Sequence, residues 1–523
     1  MNKVHILDCT LRDGGYCNQW NFGNQNIVKI IQGLTNANIE IIECGFITNK
    51  NSYDRDRTKF NTVDQIDDII PETDKDVLFV AMMNYGEYDL DNLPEASLTK
   101  VDGIRVAFHK KNMNEALELC RGIKSKGYKV FVQAMVSMSY SDEEFLDLIQ
   151  KANDIEPYAF YIVDSFGTMK NKELISRYYM VENNMMKNIW IGFHSHNNLQ
   201  LAYSNALSLL DTKTNRNLII DASVHGMGRG AGNLNTELFV EYLNENIEAR
   251  YNIKPLLNII DEIIDSFYQK NYWGYSLPNY LSAIHNAHPN YAGYLNDKKT
   301  LTVEDMDEIF SMMTSEKKYE YDREYIEELY LRYMNNDKIN SAEQRNIVED
   351  LSGKEVLLIA PGRSSVDEKT KIIELASKDN VIVVSINADY EFYSPDYIFV
   401  SNIRRFKEID EMLHNKCIVT SNIHEEDIFA KIQYEDLIND IETVKDNAGM
   451  MAIKFLYLQG CKKIYLAGFD GYSHDTNENY ASEKLEIVTK NDVLDYMNVG
   501  IRNALNEFEK KLDIEFVTTR KNI

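Results

Sequence analysis

Eight short apolar segments rich in β-branched residues alternate with polar or amphipathic chain over the first 245 residues. The segments span residues 5–8, 39–47, 77–84, 103–108, 129–136, 159–166, 189–196 and 218–226. Most of them are continuously apolar, which is typical of strands that are covered on both faces. Eight strand-then-helix units in this length favour an α/β fold of the (β/α)8 TIM-barrel type over an open doubly wound sheet.

The pattern changes after residue 245, and the sequence predicts three domains. Residues 246–350 form a helical extension, which we expect to serve oligomerisation or to cover the active site. After a polar stretch at 335–346, strand segments alternate with helices again, which predicts a Rossmann-like doubly wound α/β domain. These strand segments are 355–360, 381–387, 397–402, 417–420, 463–470 and 514–519. The predicted boundaries are therefore 1–245, 246–350 and 351–523.

Charge and composition exclude several classes of function. The net charge is −26 and the sequence pI is about 4.9. Such an acidic surface repels phosphate backbones and anionic lipids, so we expect neither a nucleic-acid nor a membrane partner. The six cysteines are scattered without a C-x-x-C pair, which is typical of reduced thiols. No signal sequence or long apolar run is present, so we expect a cytoplasmic enzyme that forms a homo-oligomer.

Two predicted strand ends carry candidate metal ligands. Arg12 and Asp13 follow the first strand, and His194 and His196 end the seventh. Side chains two residues apart on a strand point to the same side, so the two histidines and Asp13 can bind one metal ion at the barrel mouth. Two imidazoles and one carboxylate suit Mn²⁺, Fe²⁺, Co²⁺ or Mg²⁺, or a catalytic Zn²⁺ with open positions. Among these metals we expect Mn²⁺ or Mg²⁺.

Other polar groups are predicted on the same rim. The segment from His225 to Asn233 contains four glycines, and its amides could face an anionic end of a substrate. Candidate substrate contacts or supports of the metal ligands are Glu43, Asp164, Ser165 and Arg229.

Four motifs together resemble the DRE-type TIM-barrel metallolyases. They are L-D-C-T-L-R-D-G-G (7–15), V-D-S-F-G (163–167), G-F-H-S-H-N-N-L-Q-L-A (192–202) and D-A-S-V-H-G-M-G-R-G-A-G-N (221–233). The last two are most similar to the 4-hydroxy-2-oxovalerate aldolase branch, with its H-x-H-x-N-L-x-L and G-M-G-x-G-A-G-N patterns. The resemblance covers roughly residues 1–345, because that branch also carries a helical extension.

The resemblance implies a site and a reaction. Asp13, His194 and His196 would be metal ligands, Asn233 would be a further ligand or polar support, and Arg12 would steady an enolate oxygen. The reaction would make or break a carbon–carbon bond between a pyruvate enolate and an aldehyde. A Claisen-type acyl-CoA/2-oxo-acid synthase or acyl-CoA lyase is the alternative within enzymes, and a catalytically retired scaffold is the alternative outside them.

The general base departs from the family pattern. That branch has a histidine three residues beyond the metal-binding aspartate, and here this position is Tyr16. A phenol is a poorer base than an imidazole at neutral pH. Tyr16 would then only orient a hydroxyl, or the base would be Tyr275 in the extension, His225 or His109.

The second α/β domain loosely resembles Rossmann-like domains of bacterial glycan-cluster proteins, including sialyltransferase-like ones. This likeness implies a nucleotide or nucleotide-sugar ligand, with Gly362, Ser364, Asn387 and Asp470 as candidate contacts, and a role in surface-glycan synthesis. No acidic residue ends the second strand, which argues against a standard NAD site. A scaffold or docking domain is the alternative.

Overall fold

The computed structural model describes residues 4–212, 214–335, 351–390, 392–482 and 491–523. Its contacts divide the chain into two units, and each unit includes part of the predicted extension. The first is Met1–Gly293 with Thr314–Tyr321, and the second is Tyr294–Met313 with Asp322–Ile523. The predicted boundary at residue 350 and the polar stretch 335–346, apart from Asn335, lie outside the described residues.

Eight parallel strands close into a barrel in the first unit, which confirms the predicted fold class. They are β1 (Val4–Asp8), β2 (Ile41–Ile47), β4 (Leu78–Asn84), β5 (Gly103–Phe108), β6 (Lys129–Ala134), β7 (Ala159–Asp164), β8 (Trp190–Ser195) and β9 (Leu218–Ala222). Each pairs with the next, and β1 pairs with both β9 and β2 to close the ring. The short β3 (Lys59–Phe60) pairs only with β2 and was not predicted.

Helices connect the barrel strands, as the amphipathic segments predict. They are α1 (Gly15–Asn18), α2 (Asn24–Asn36), α3 (Val63–Asp67), α4 (Met113–Ser125), α5 (Asp142–Asn153), α6 (Asn171–Asn184), α7 (Ala202–Leu210) and α8 (Thr236–Asn246). The connection after β4 differs, because among its residues only two 3₁₀ turns form, at Leu90–Asn92 and Ala96–Leu98. Pro94 lies between these turns and disfavours a continuous helix there.

The described part of the predicted extension consists of helices joined by loops. Its helices are α9 (Lys254–Ile259), α10 (Asp265–Lys270), α11 (Leu277–Ile284), α12 (Pro289–Asp297), α13 (Val303–Ser311) and α14 (Arg323–Met334). A π-helical turn at Ile260–Ile264 joins α9 to α10. No helix among the described residues combines the length and the apolarity needed to cross a membrane.

A second sheet of seven parallel strands forms the core of the second unit. It contains β10 (Glu355–Ile359), β11 (Val381–Ile386), β12 (Tyr397–Val400), β13 (Cys417–Thr420), β14 (Ala430–Ile432), β15 (Lys463–Ala467) and β16 (Asp513–Phe516). The strand order is β14-β13-β12-β11-β10-β15-β16, so the winding reverses between β10 and β15. This is the doubly wound topology that the sequence predicts, with β14 as an additional strand.

The helices of this second sheet are short except for two. They are α15 (Ser364–Asp367), α16 (Lys369–Ala376), α17 (Ile403–Phe406), α18 (Tyr434–Leu437), α19 (Ala448–Leu458) and α20 (Asn491–Glu509).

Candidate active site

Asp13, His194 and His196 meet at the carboxyl end of the barrel strands. Each offers one ligand atom, and these atoms lie within 4.8 Å of one another. All three side chains are buried, and the imidazole rings stand 5.3 Å apart at an angle of 87°. Burial lowers the pKa of His196 to about 3, although Asp13 opposes this shift, so the imidazole is neutral and able to bind a metal.

Two buried atoms beside this cluster lack a hydrogen-bond partner. They are His196 Nδ1 and Asn233 Oδ1, and the amide nitrogen of Asn233 donates to Asp13 Oδ2 at 2.7 Å. Unpaired buried polar atoms are rare in folded proteins because they lose hydration without compensation. A divalent cation bound by Asp13, His194 and His196 would supply a partner for His196 Nδ1, so these residues fit the predicted metal. The role of Asn233 as a further ligand stays a prediction.

A buried carboxylate that the sequence analysis did not select orients His194. Asp221 Oδ2 lies 2.9 Å from His194 Nδ1 and also contacts Arg105. Burial raises the pKa of Asp221, but Arg105 and His194 outweigh it and hold this pKa below its ordinary value. The ionised carboxylate keeps the imidazole proton on Nδ1, so Nε2 is left for a metal. Arg105 inside the apolar segment GIRVAF was the available signal in the sequence.

The same network extends to the first strand. Arg105 Nη1 lies 2.7 Å from Glu43 Oε2, and Arg12 Nε lies 2.8 Å from that same atom. Arg12 Nη1 contacts Asp13 at 2.5 Å. Burial raises the pKa of Asp13, but Arg12 and the histidines outweigh it, so this carboxyl ionises below its usual range. Glu43 thus holds two arginines in place.

The loop after β7 brings two further predicted residues to the rim. Asp164 accepts hydrogen bonds from the amides of Thr168 (2.9 Å) and Met169 (3.1 Å). Ser165 Oγ accepts one from the Val136 amide at 2.9 Å. Burial raises the pKa of Asp164 to about 7 despite these amides. Both side chains therefore bond to the backbone of rim loops, which fixes the shape of the barrel mouth.

Arg229 joins the barrel rim to the extension. Its Nη2 donates to Ser165 O at 3.0 Å, and its guanidinium carbon lies 5.3 Å from the ring centre of Tyr16. On its other side, Nη1 lies 3.4 Å from Nε2 of His288. Sequence reasoning missed His288, because no strand end or motif marks it and only the fold of the extension brings it here.

The other candidate bases lie in different surroundings. The ring of His225 packs against Tyr268 and Trp273, with ring centres 5.1 and 6.0 Å away. Tyr275 is 49% exposed and neighbours Tyr280. The cluster of potential ligands found among the described residues does not include His225.

His109 lines a cavity of about 330 Å³ in the barrel unit. The cavity is lined by residues after β5 and β6 and by part of the extension: His109, Lys110, Lys111, Met135, Val136, Ser139, Ser315, Glu316, Tyr319 and Glu320. Burial lowers the pKa of His109, and Glu320 opposes this shift.

Three of the four residues predicted to bind a nucleotide meet at the reversal point of the second sheet. Ser364 donates from its amide to Asp470 Oδ2 at 2.7 Å, and their side chains also contact each other. The backbone at Gly362 lies so close to the backbone at Gly468 that a Cβ on Gly362 would be 2.3 Å from Gly468 O. Because Asp470 accepts the Ser364 amide proton, that amide is not free for a phosphate.

Asn387 lies at the end of the neighbouring strand β11. It has a left-handed φ of 56°, and its Oδ1 is buried without a hydrogen-bond partner. The nucleotide and glycan interpretations of this unit stay predictions.

The similarity of this chain to known proteins lies in its barrel. A model of the HMGL-like family matches residues 3–263. A 4-hydroxy-2-oxovalerate aldolase from Geobacillus genomosp. 3 is 28% identical over 268 residues, which are 50% of this chain and 77% of that protein. One of the same description from Pseudoalteromonas translucida is 27% identical over 268 residues, 50% of this chain and 76% of that protein.

The chain is also similar to a solved structure, the N-terminal domain of a Bacteroides vulgatus protein described as an aldolase. It is 28% identical, with a TM-score of 0.48, and covers 57% of this chain and 98% of its own. The strand order, the motifs and the family match agree, and through residues 3–263 this chain belongs to the HMGL-like family.

Proposed function

We propose that the barrel is a divalent-metal-dependent aldolase that makes or cleaves a carbon–carbon bond through a pyruvate-type enolate. The observation that carries this proposal is the buried group of Asp13, His194 and His196, with unpaired atoms on His196 and Asn233. The aldolases similar to this chain are described as acting on 4-hydroxy-2-oxovalerate, which contains a pyruvate half. Mn²⁺ and Mg²⁺ are the metals that we expect first.

The residues around the cluster suit stabilisation of negative charge. A divalent metal held by the cluster would act as a Lewis acid on the carbonyl of a 2-oxo acid. In the cleavage direction the C3–C4 bond breaks, and its electron pair becomes the double bond of the pyruvate enolate. Arg12 lies beside Asp13 and would donate hydrogen bonds to the developing oxyanion. Glu43 holds the guanidinium in position, so little reorganisation is needed during the reaction.

A proton must leave the C4 hydroxyl as the C3–C4 bond breaks, and the enolate must then gain a proton at C3. We propose that Tyr16 contacts the C4 hydroxyl, because its ring lies on the rim beside Arg229. His109, which lines the neighbouring cavity, is the proposed proton acceptor. His225 and Tyr275 are less suitable, because both pack against aromatic rings of the extension.

Exchange of the pyruvate methyl protons for deuterium tests enolate formation without knowledge of the aldehyde. The full chain is incubated in D₂O with pyruvate and Mg²⁺ or Mn²⁺, the metal is chelated, and the methyl signal is measured by NMR. We expect exchange that requires metal and is lost in His194→Ala and Asp13→Ala. The exposed His474 of the second unit provides the matched control His474→Ala, which should exchange at the wild-type rate.

Two outcomes would contradict the proposal. Exchange that is absent with every metal, together with no bound metal by elemental analysis, would favour the retired-scaffold alternative. Release of free thiol from an acyl-CoA in the presence of a 2-oxo acid would identify the Claisen-type synthase instead.

A further inference from the structure

Arg229 is a cation without a carboxylate partner at the mouth of the barrel. Among the described residues, no aspartate or glutamate oxygen forms an ion pair with its guanidinium, which bonds to the backbone oxygen of Ser165. Its Nε is buried and has no acceptor. A half-buried charge of this kind is stabilised when a ligand supplies an anion.

His288 presents a second donor to the same place. Its Nδ1 accepts a hydrogen bond from the amide of Asn290 at 3.2 Å, so the neutral ring carries its proton on Nε2. That nitrogen lies 3.4 Å from Arg229 Nη1. Burial, followed by Arg229, lowers the pKa of His288 to about 2, which keeps the ring neutral. Two donors thus face each other, and one anionic oxygen could accept a hydrogen bond from both.

The other arginines of the site are already matched. Arg12 contacts Asp13 and Glu43, and Arg105 contacts Glu43 and Asp221. These two cations therefore meet three carboxylates, so their positive charge is balanced within the site. Arg229, by contrast, has no carboxylate in ion-pair contact among the residues that the structure describes.

The neighbouring cavity indicates which part of a substrate reaches this pair. The ring of Phe166 lies between His288 and Tyr319, with ring centres 5.5 and 6.4 Å away, and Tyr319 lines the 330 Å³ cavity. That volume is at the lower end of the range for small-molecule sites. The cavity lies beyond the ends of β5 and β6, whereas Arg12 and Asp13 follow β1. A group in the cavity would therefore belong to the half of the substrate distant from the enolate.

We propose that Arg229 and His288 bind an anionic group, a carboxylate or a phosphate, on the half of the substrate that leaves as the aldehyde. The enzyme would then prefer anionic aldehydes as acceptors over neutral ones of the same length. This inference rests on the proposed aldolase function and adds the substrate class to it.

Matched pairs of acceptors test the inference in the direction of condensation with pyruvate. Butanal is compared with 4-oxobutanoate, and D-glyceraldehyde with its 3-phosphate, as the ratio of kcat/KM within each pair. We expect a ratio of roughly 10- to 100-fold in favour of one anionic member, which is the discrimination that a hydrogen bond to a charged group supplies. The pair that shows it distinguishes carboxylate from phosphate.

Variants assign the preference to the two residues. The ratio should fall to about one in Arg229→Met and be largely retained in Arg229→Lys, which keeps the charge. His288→Leu should lower it, and Arg323→Met, a change at an exposed arginine of the second unit, should leave it unchanged. Because both kcat/KM values of a ratio are measured on the same variant, a partial loss of folded protein lowers both equally and does not change the ratio.

The failures of the two proposals are distinguishable. Equal kcat/KM for both members of each pair, in a wild-type enzyme that exchanges the pyruvate methyl protons, would overturn the inference alone. A higher pyruvate KM with an unchanged ratio in Arg229→Met would also overturn it, because Arg229 would then hold the carboxylate of pyruvate. Absence of methyl exchange in the wild type would overturn the aldolase proposal and the inference with it.

Discussion

Replacing Asp221 by asparagine should weaken metal binding without unfolding the barrel. Asp221 accepts the Nδ1 proton of His194 at 2.9 Å and so directs Nε2 of that ring towards the metal position. Asparagine has nearly the same volume, but it lacks the charge and can present an NH₂ group to the imidazole. The histidine would then lose both its fixed tautomer and its fixed orientation.

The magnitude follows from the contacts. Loss of the partner that orients a metal-bound histidine typically costs 10- to 100-fold in affinity, or about 1.4–2.7 kcal/mol. The fold should tolerate the change, because Arg105 keeps its second carboxylate, Glu43, at 2.7 Å. We expect the free energy of unfolding without metal to fall by about 1.5–3 kcal/mol, the value of one hydrogen bond to a charged group.

Metal affinity is measured by titrating the metal-free protein with Mn²⁺ and following the free ion by electron paramagnetic resonance. The matched control is Asp8→Asn, because Asp8 is also buried at a strand end but bonds to Thr10 and Thr236 rather than to a histidine. The reasoning is refuted if Asp221→Asn binds Mn²⁺ within about threefold of the wild type, well below the expected loss. It is equally refuted if Asp8→Asn weakens binding to the same extent.

Three further predictions concern the same rim. Arg105→Met should lower the free energy of unfolding by about 3–5 kcal/mol in calorimetry, because it removes a fully buried cation that pairs with both Glu43 and Asp221. A loss below about 1 kcal/mol would contradict this. Asp164 has a folded pKa of about 7, raised from 3.8, so its contribution to stability is full below about pH 4 and is lost as the pH rises through 7. The advantage of the wild type over Asp164→Asn in urea unfolding should therefore be larger at pH 4 than at pH 8, and equal values would contradict it. Gly228→Ala would place a Cβ 2.3 Å from Asn233 Nδ2 and 3.0 Å from Asp13 Oδ2, so the amount of bound metal, measured by elemental analysis, should fall sharply. The control Gly293→Ala, where a Cβ meets nothing within 4 Å, should retain the metal.

Local sequence signals were sufficient for the barrel and for the three residues of the metal cluster. A strand covered on both faces must be apolar throughout, so all eight barrel strands can be recognised from short windows of sequence. His194 and His196 share a side because strand side chains alternate, and this rule needs no tertiary information. The family motifs then connected Asp13 to them. Short strands such as β3 and β14 escaped notice because two or three residues carry no periodicity.

The partners of the cluster were decided only by the closed fold. Asp221 and Arg105 lie 116 residues apart in the chain, and they meet because the barrel brings the strands β5 and β9 to one interior. His288 reaches Arg229 across 59 residues because the extension folds back over the strand ends. The strand ends that carry the metal ligands can be recognised from local sequence patterns. The charged residues that orient these ligands come from distant segments, and only the tertiary structure brings them into contact.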